Sequence, residues 1–596
     1  MAAARRMGVS LAAWALLSCG AAPQPRAPAP VPAVNLPVAP KPTTAGASEA
    51  ARPAPGTREL VKELASAEQI ADAERRWFSA KKVLASIRAL ADPRGADALA
   101  AFIQSEAGWP GDPERVHRRT QAAFALAELG DLRALPVLAA RLDLDPENVY
   151  REDAPGQAEL RRTDTERVAA ARLIGDLAVL HPEALAAIRQ GSTAQLARWL
   201  DAAPAPHGNG LRALARMQTD DPGLRQKLRA WADPTGALPR PRAFPPFEDK
   251  WVIAQSALRY LGALRDDKGW PILEKQLARK PKPLDATVDG MLSHGTALLG
   301  MTVRALAFGA ANGMAEWGEA RASSKLLAHL DDDKQNEQSR VEACRALGFV
   351  ADAATEREIE KRMVKWAPLP GKAAEKRVQC LLVTLKVHPV ASLTPLLLSR
   401  VLGPGDEPTR LPFAAALGHS ALDAASEAKL VQRLSNQDEA PIASVALLLG
   451  GSVAAAKAVA TGAGNVDAMA VTYAGSLEVL TEHDLSTGRL FRWVANARAL
   501  AQERRGSRAL DFAVATLSRH LTDQEFDAGP HTLTRTLLRA RLFARAKTGS
   551  PPEREAAVDA LEVARERGVL LALAEGDGPA AKRAAGAADR LAEPRP

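Results

Sequence analysis

The sequence predicts an all-α protein, an α-solenoid of stacked antiparallel helical hairpins. Three observations carry the prediction. Aromatic residues are only 4% of the 596 residues, and Ala and Leu dominate, with no segment alternating well enough to read as a strand. The stretch Arg119–Leu142, RTQAAFALAELGDLRALPVLAARL, reads as two short amphipathic helices joined at Gly130-Asp131. Weaker copies of that stretch recur along most of the chain.

Within this unit Ala123, Leu126 and Leu129 fall on one stripe of a 3.6-residue helix. Gly130 follows the last periodic residue, where helices commonly end in a left-handed cap. Leu135, Leu138 and Leu142 rebuild the stripe on a second helix, with Pro136 near its start, where the missing N–H costs little. Neither helix can bury its stripe alone, whereas a row of such hairpins can. Sliding by 135 residues gives Leu258, Leu261, Leu264, Asp266, Pro271, Leu273 and Leu277. Sliding by 221 gives Ala343, Leu347, Val350, Asp352, Ile359 and Met363. The glycine is lost in both copies, at Arg265 and Ala351. The pattern over Ala122–Leu142 resembles HEAT-type repeats in their bacterial variant, a resemblance that implies a solenoid and no particular activity.

The chain opens with MAAARRMGVSLAAWALLSC. Arg5-Arg6 form a basic start, and Val9–Leu17 an apolar run too short to span a bilayer. Met7-Gly8-Val9 after the arginine pair fits a twin-arginine signal poorly. Leu16-Leu17-Ser18-Cys19 resembles the bacterial lipobox. The resemblance implies cleavage before Cys19, lipid on its thiol and acylation of the new N-terminus, with residues 1–18 as signal peptide. Two or three acyl chains make a stable anchor, and Gly20 after the cysteine favours the outer membrane of a bacterial envelope. Residues 19–57 carry ten prolines between Gly20 and Thr57. They are expected to form a disordered tether that, at about 3.1 Å per residue, reaches on the order of 100 Å.

Residues 58–465 are the expected solenoid. Arg58–Lys82 reads as a region covering its first open face, Val83–Ile103 as the first hairpin, and Arg119–Leu142 as the next. Asp143–Asp164 reads as a polar loop. Thr165–Ala232 holds two further pairs, and Asp233–Asp249 interrupts with five prolines and with Phe244 and Phe247. Lys250–Arg279 is the second clear repeat, and Lys280–His294 a third interruption. Gly295–Gly318 places five glycines in an apolar helical stretch, a density that points first to close helix packing and second to a ligand touching the backbone. Further pairs run to Ala463. Residues 466–596 read as longer helices, a capping continuation ending in a helix over Glu553–Ala574 and a Gly/Ala-rich polar tail.

Chemistry is sparse. There is no G-x-S-x-G, no phosphate loop, no H-E-x-x-H and no C-x-x-C, and no cofactor is expected. The net charge of +8 is spread among acids, which argues for a mixed solvated surface and against a nucleic-acid face. Glu482-His483-Asp484 groups three potential ligands, but sequence neighbours do not face one site on a helix. Cys344 and Cys380 lie about one repeat apart. An exported location leaves their pairing open, but equivalent Cα atoms on stacked helices stand about 10 Å apart, beyond bridging distance, so they read as small buried hydrophobes.

The functional expectation is an envelope-anchored, non-catalytic scaffold for a protein partner, touching the membrane only through its lipid. Phe244, Phe247, His294 and Trp317 are the candidate partner-binding residues. The alternative is an enzyme or accessory subunit acting on an envelope substrate, with a pocket near residues 294–318.

Overall fold

The computed structural model describes residues 57–67, 73–105, 113–142, 157–202, 208–217, 221–233, 249–279, 306–332, 335, 337–420, 422–436, 438–450, 482–486, 488–503 and 533–592. Cys19 and the tether lie outside them. Among the described residues there are helices and turns and no strand. Residues 55–596 form one compact unit.

In chain order the helices are α1 (Thr57–Ala67), α2 (Ala73–Leu90), α3 (Ala96–Ser105), α4 (Pro113–Glu128), α5 (Leu135–Leu142), α6 (Gln157–Leu180), α7 (Leu185–Ala202), α8 (Gly208–Arg216), α9 (Pro222–Ala232), α10 (Asp249–Ala263) and α11 (Trp270–Leu277). Then come α12 (306–317), α13 (Ala320–Asp331), α14 (Glu337–Val350), α15 (Ala353–Trp366), α16 (Lys372–Val387), α17 (Thr394–Leu402), α18 (Glu407–His419), α19 (Ala424–Arg433) and α20 (Ala440–Gly450). The chain ends with α21 (Glu482–Ser486), α22 (Arg489–Glu503), α23 (Arg535–Thr548), α24 (Pro551–Val563), α25 (Arg567–Ala574) and α26 (Pro579–Arg590). The even-numbered helices make one row: α2 packs on α4, α4 on α6, α6 on α8 and α8 on α10, and the row resumes from α14 through α16, α18, α20 and α22 to α24. Odd-numbered helices lean on their sequence neighbours in that row. This is the predicted two-layer solenoid, and its shared core is aliphatic, with Leu126, Leu138, Leu142, Leu258, Leu261 and Leu273 fully buried.

The turns show why the hairpins form. Gly130 takes φ +81°. The Asp131 N–H donates to Leu126 O at 3.2 Å and the Gly130 N–H to Ala127 O at 2.8 Å, the paired bonds of a Schellman cap. The Asp131 carboxylate then accepts from the Arg133 N–H at 2.9 Å, opening the next turn. The turn is kept where the glycine is lost: Arg265 takes φ +48°, with Asp266 N–H on Leu261 O at 3.0 Å. Arg565 repeats it at φ +58°, with Glu566 N–H on Leu561 O at 2.9 Å. At Ala351 the hairpin turns differently, through an N-cap in which Asp352 accepts from the Thr355 N–H at 2.8 Å.

Alternate seams of the even row are drawn close by glycine. A Cβ on Gly175 of α6 would stand 3.0 Å from the Ala213 Cα of α8. On Gly309 of α12 it would stand 2.6 Å from Gln255 O of α10, on Gly348 of α14 2.6 Å from the Val387 Cβ of α16, and on Gly418 of α18 2.5 Å from the Leu449 Cβ of α20. The approach is backbone to backbone at Gly175 and Gly309 and onto a facing Cβ at Gly348 and Gly418, and a side chain at Gly309, Gly348 or Gly418 would push the helices apart.

Several expectations are corrected. Gln157–Asp164, expected as loop, is the start of α6; Gln, Ala, Glu, Leu and Arg in it are good helix formers. The expected helix over Glu553–Ala574 is broken at Arg565, and the polar tail is α26, which buries Ala581, Ala584, Ala587 and Ala588 on α24 and α25. Cys344 and Cys380 form a disulfide, with Cα atoms 5.7 Å apart. The estimate of about 10 Å failed because Gly348 lets α14 and α16 touch, with Thr384 Oγ1 donating to Cys344 O at 2.8 Å. Finally, the first hairpins are not covered by α1 alone. α23 packs on α6, and α25 on α2 and on the turn at Pro93–Gly95, with Gly568 against the backbone of Leu90 and Asp92. The last hairpins therefore return onto the first.

Candidate functional site

Charge enters this core as carboxylate–arginine pairs. The buried carboxylates among the described residues are Asp92, Glu166, Asp176, Asp266, Asp484 and Glu566, and each is held by arginine. Asp92 pairs with Arg94 at 2.7 Å, Asp266 with Arg229 at 3.0 Å, and Glu566 with Arg535 and Arg539, both at 2.8 Å. Glu166 meets Arg141, Asp176 meets Arg216 and Asp484 meets Arg489. On Asp92 and Glu566 the guanidinium fork of Arg94 and Arg539 meets both carboxylate oxygens. Burial alone would raise the Glu166 pKa, but His117, Arg141 and Gln121 outweigh it and hold the carboxyl below the usual glutamate range. Glu128 is likewise held low, with Arg88, Arg539 and Arg172 overcoming its burial.

These pairs lie between neighbouring helices and at their turns, in seams with glycine, as Asp176 with Arg216 beside Gly175, and in seams without it. Between α4 and α6 lie His117, Gln121 and Glu166, with Gln121 Nε2 donating to Glu166 at 3.3 Å. Between α20 and α22, Trp493 Nε1 donates to Leu449 O at 3.1 Å and Asn496 Nδ2 to Leu448 O at 2.7 Å. Where the chain closes, Arg539 of α23 reaches the Glu128 carbonyl at 3.1 Å, and Arg94 reaches Glu575 at 2.7 Å.

The seam between α8 and α10 holds space. A cavity of about 140 Å³, open on one side, is lined by Arg212, Ala215, Arg216, Tyr260, Ala263 and Glu316. Three helices supply it: α8 the two arginines, α10 the tyrosine and α12 the glutamate. Gly175 brings α6 against α8 and so places Asp176 on Arg216. Arg259 Nε donates to Glu316 Oε1 at 3.1 Å. Arg212 is 8% exposed. Burial, followed by the like charges of Arg259 and Arg216, pushes its pKa down to about 10, against the opposing pull of Tyr260 and Glu316.

Of the residues singled out by sequence, Trp317 is 2% exposed. It stands edge-on to Trp270 at 4.9 Å, with Arg321 stacked 4.2 Å over the Trp270 ring. It fills the core and offers no surface, because the α12 helix that carries it is clamped to α10. Phe244, Phe247 and His294 lie outside the described residues, as do Gly295 and Gly300. Gly309 and Gly313 are spent on contact with α10: a Cβ on Gly313 would stand 2.5 Å from Leu258 O. Asp484 of the Glu482-His483-Asp484 cluster is buried and accepts from Arg489 Nε at 2.5 Å, while Arg489 Nη1 donates to Lys386 O at 2.8 Å. Among the described residues no three His, Cys, Asp or Glu side chains converge to hold a metal ion. Sequence reading missed Arg212, Arg216 and Tyr260. Their one local signal is Leu-Arg-Ala-Leu-Ala-Arg, which sets two arginines four residues apart on one face of a helix. No protein-family model matches this chain, and no curated protein is significantly similar to it.

Proposed function

We propose that this protein is a lipid-anchored, non-catalytic scaffold of a bacterial envelope, displaying its helical array to a protein partner. The observation that carries the reading is the fate of the buried carboxylates. All six among the described residues are bound to arginine, so they act as structural acceptors, whereas a general acid needs a pKa raised toward neutrality. Gly309 and Gly313 support the same reading over a ligand touching the backbone there, since they pack on α10.

The address rests on the lipobox ending at Cys19 and on the proline-rich stretch after it. The Cys344–Cys380 disulfide supports it independently, because such bonds persist in oxidising compartments such as the periplasm. No described helix is long and apolar enough to cross a membrane, which agrees with attachment through lipid.

Two measurements test the reading. Mass spectrometry of the mature N-terminus should find lipid on Cys19, and Cys19→Ser should move the protein from the membrane to the soluble fraction; an unmodified Cys19 refutes the anchor. Crosslinking in intact cells should recover the same partner protein in repeated pull-downs; repeated recovery of none refutes the scaffold.

A further inference from the structure

We propose that the end of α15 and the turn leading into α16 form a docking patch for an anionic lipid surface. The proposal rests on the anchored reading only for bringing a membrane within reach. The contact itself is made by the folded body and is tested without the anchor.

The first argument is exposed apolar surface. Among the described residues the large apolar side chains left in water are Val364, 55% exposed, and Leu369, 50% exposed. Both sit at one place in the fold. Val364 is in the last turn of α15, and Leu369 follows in the turn after it, between the exposed Pro368 and Pro370. A lone exposed apolar residue needs no explanation, whereas apolar residues gathered at one spot mark a contact. The turn is held in shape: the Leu369 N–H donates to Trp366 O at 3.0 Å, and Gly371 takes φ +104°. Presenting Leu369 therefore costs little further ordering.

The second argument is the charge around that spot. Lys361, Val364 and Lys365 share one face of α15, at i, i+3 and i+4, and Arg357 extends the stripe one turn back; all four are exposed. Lys372 is exposed at the start of α16, and Arg400 of α17, also exposed, donates to Ala367 O. The acids of α15 lie off this stripe. Glu356 meets His388 at 2.7 Å, Glu358 meets Arg362, and Glu360 is half-buried at the margin. Glu375 is exposed one turn into α16, beyond Lys372.

The third argument is the kind of partner these residues suit. Protein interfaces are rich in aromatic residues and arginine and poor in lysine. Here lysines surround the apolar pair, and the local aromatic, Trp366, is 4% exposed with Arg377 stacked at 5.0 Å. Lysines around a small apolar tip suit an anionic bilayer, because their stems lie along apolar surface while the ammonium groups reach the headgroups. A chain the length of residues 20–57 extends on the order of 100 Å, enough for the body to turn this patch onto the membrane that holds it.

The full chain carrying Cys19→Ser, which has no thiol there to acylate, would be sedimented with vesicles of phosphatidylcholine alone and of a two-to-one mixture of phosphatidylcholine and phosphatidylglycerol. Because no acyl group takes part, the result is independent of whether Cys19 is lipidated in the cell. Residues 1–18 are common to every variant, so a difference between variants belongs to the patch. The Cys19→Ser chain should partition onto the anionic vesicles, and less so as salt rises. Lys361→Gln, Lys365→Gln and Lys372→Gln together should lower that partition on the order of a hundredfold, about fivefold per lysine. Arginine at the same three positions should restore it. Leu369→Ser should lower it roughly tenfold. All four positions are exposed, and an unchanged thermal midpoint shows that the variants are folded.

A Cys19→Ser chain that stays off the anionic vesicles overturns the proposal, as does a folded triple glutamine variant that binds them equally well. Capture by a polyglutamate peptide through the same lysines, in place of vesicle binding, overturns it in favour of an acidic protein partner.

Discussion

The two faces of α10 meet their neighbours in opposite ways. Toward α12 the backbones touch, Gly262 against Gly313, with Gly309 under Gln255. Toward α8 the helices stand apart over Arg212, Arg216 and Tyr260. The first contact is mainly dispersion between close-packed atoms, with the Arg259–Glu316 pair at its edge. The second depends on charges taken out of water, each of which needs its partner. Gly348 and Gly418 mark further close seams along the row, and the Glu166 and Glu566 pairs mark charged contacts elsewhere.

The charged seam at the closure should break most severely. Glu566→Gln leaves Arg535 and Arg539 beside a neutral amide, with Arg539 only 5% exposed. Breaking one partner of a buried pair costs about 3–5 kcal/mol. Chemical denaturation should show that loss, and hydrogen exchange should show protection falling in α2, α6 and α23 together. Loss confined to α23 would mean the closure adds little.

In the close seam between α14 and α16, the disulfide is the point to cut. It closes a loop of 36 residues, for which chain entropy gives roughly 3–4 kcal/mol. The Cys344→Ala, Cys380→Ala double variant should lose about that much, with exchange protection falling in α14 and α16 and unchanged in α23. An unchanged stability would show that Gly348 alone holds the seam.

Acid should separate the seams without mutation. The Glu166 and Glu128 pKa values are depressed, so their pairing stabilises the fold fully above the ordinary glutamate pKa. That contribution is lost as pH falls through the depressed values. An earlier loss belongs to neither seam. Burial pushes His329, bonded to Ser339 at 2.8 Å, down to about 4. An imidazole kept neutral in the fold destabilises it as pH falls from the unfolded value, about 6.5, to about 4. His329→Gln should flatten stability across that window and leave the lower one, where protection fails first between α4 and α6.

How much of this was legible in the sequence follows the same division. The repeat, its turn and the crowded glycines of Gly295–Gly318 are local patterns, readable because helix periodicity and caps act within a few residues. Which helix a glycine would touch is not local, and so the 5.7 Å between Cys344 and Cys380 was misjudged from the spacing of ordinary helices. The charged seams were hidden for a related reason. Arg539 reaches the carbonyl of Glu128 across 411 residues, and nothing in either neighbourhood names the other. Arg212 and Tyr260 share a cavity only because α8 and α10 are neighbours in the row, although α9 separates them in the chain. Trp317, a candidate partner-binding residue by sequence, is buried in a helix that Gly309 and Gly313 bring against α10, a contact no local pattern names.

The smallest expected effect lies in the turns that join both kinds of seam. Gly130 holds φ +81° at no steric cost, while Arg265 holds φ +48° in the same cap. A left-handed residue with a Cβ costs about 1–2 kcal/mol. Arg265 recovers little through its side chain, which is 63% exposed and stands 3.8 Å from Glu319. Arg265→Gly should therefore stabilise the protein by about 1 kcal/mol, and Gly130→Ala, which also presses on Leu180 Cδ1 at 3.3 Å, should destabilise it by at least as much. Opposite signs from two substitutions in equivalent turns would show that the backbone conformation, rather than the residue lost there, defines the repeat. A destabilised Arg265→Gly protein would instead assign the Arg265 side chain a packing role at the turn.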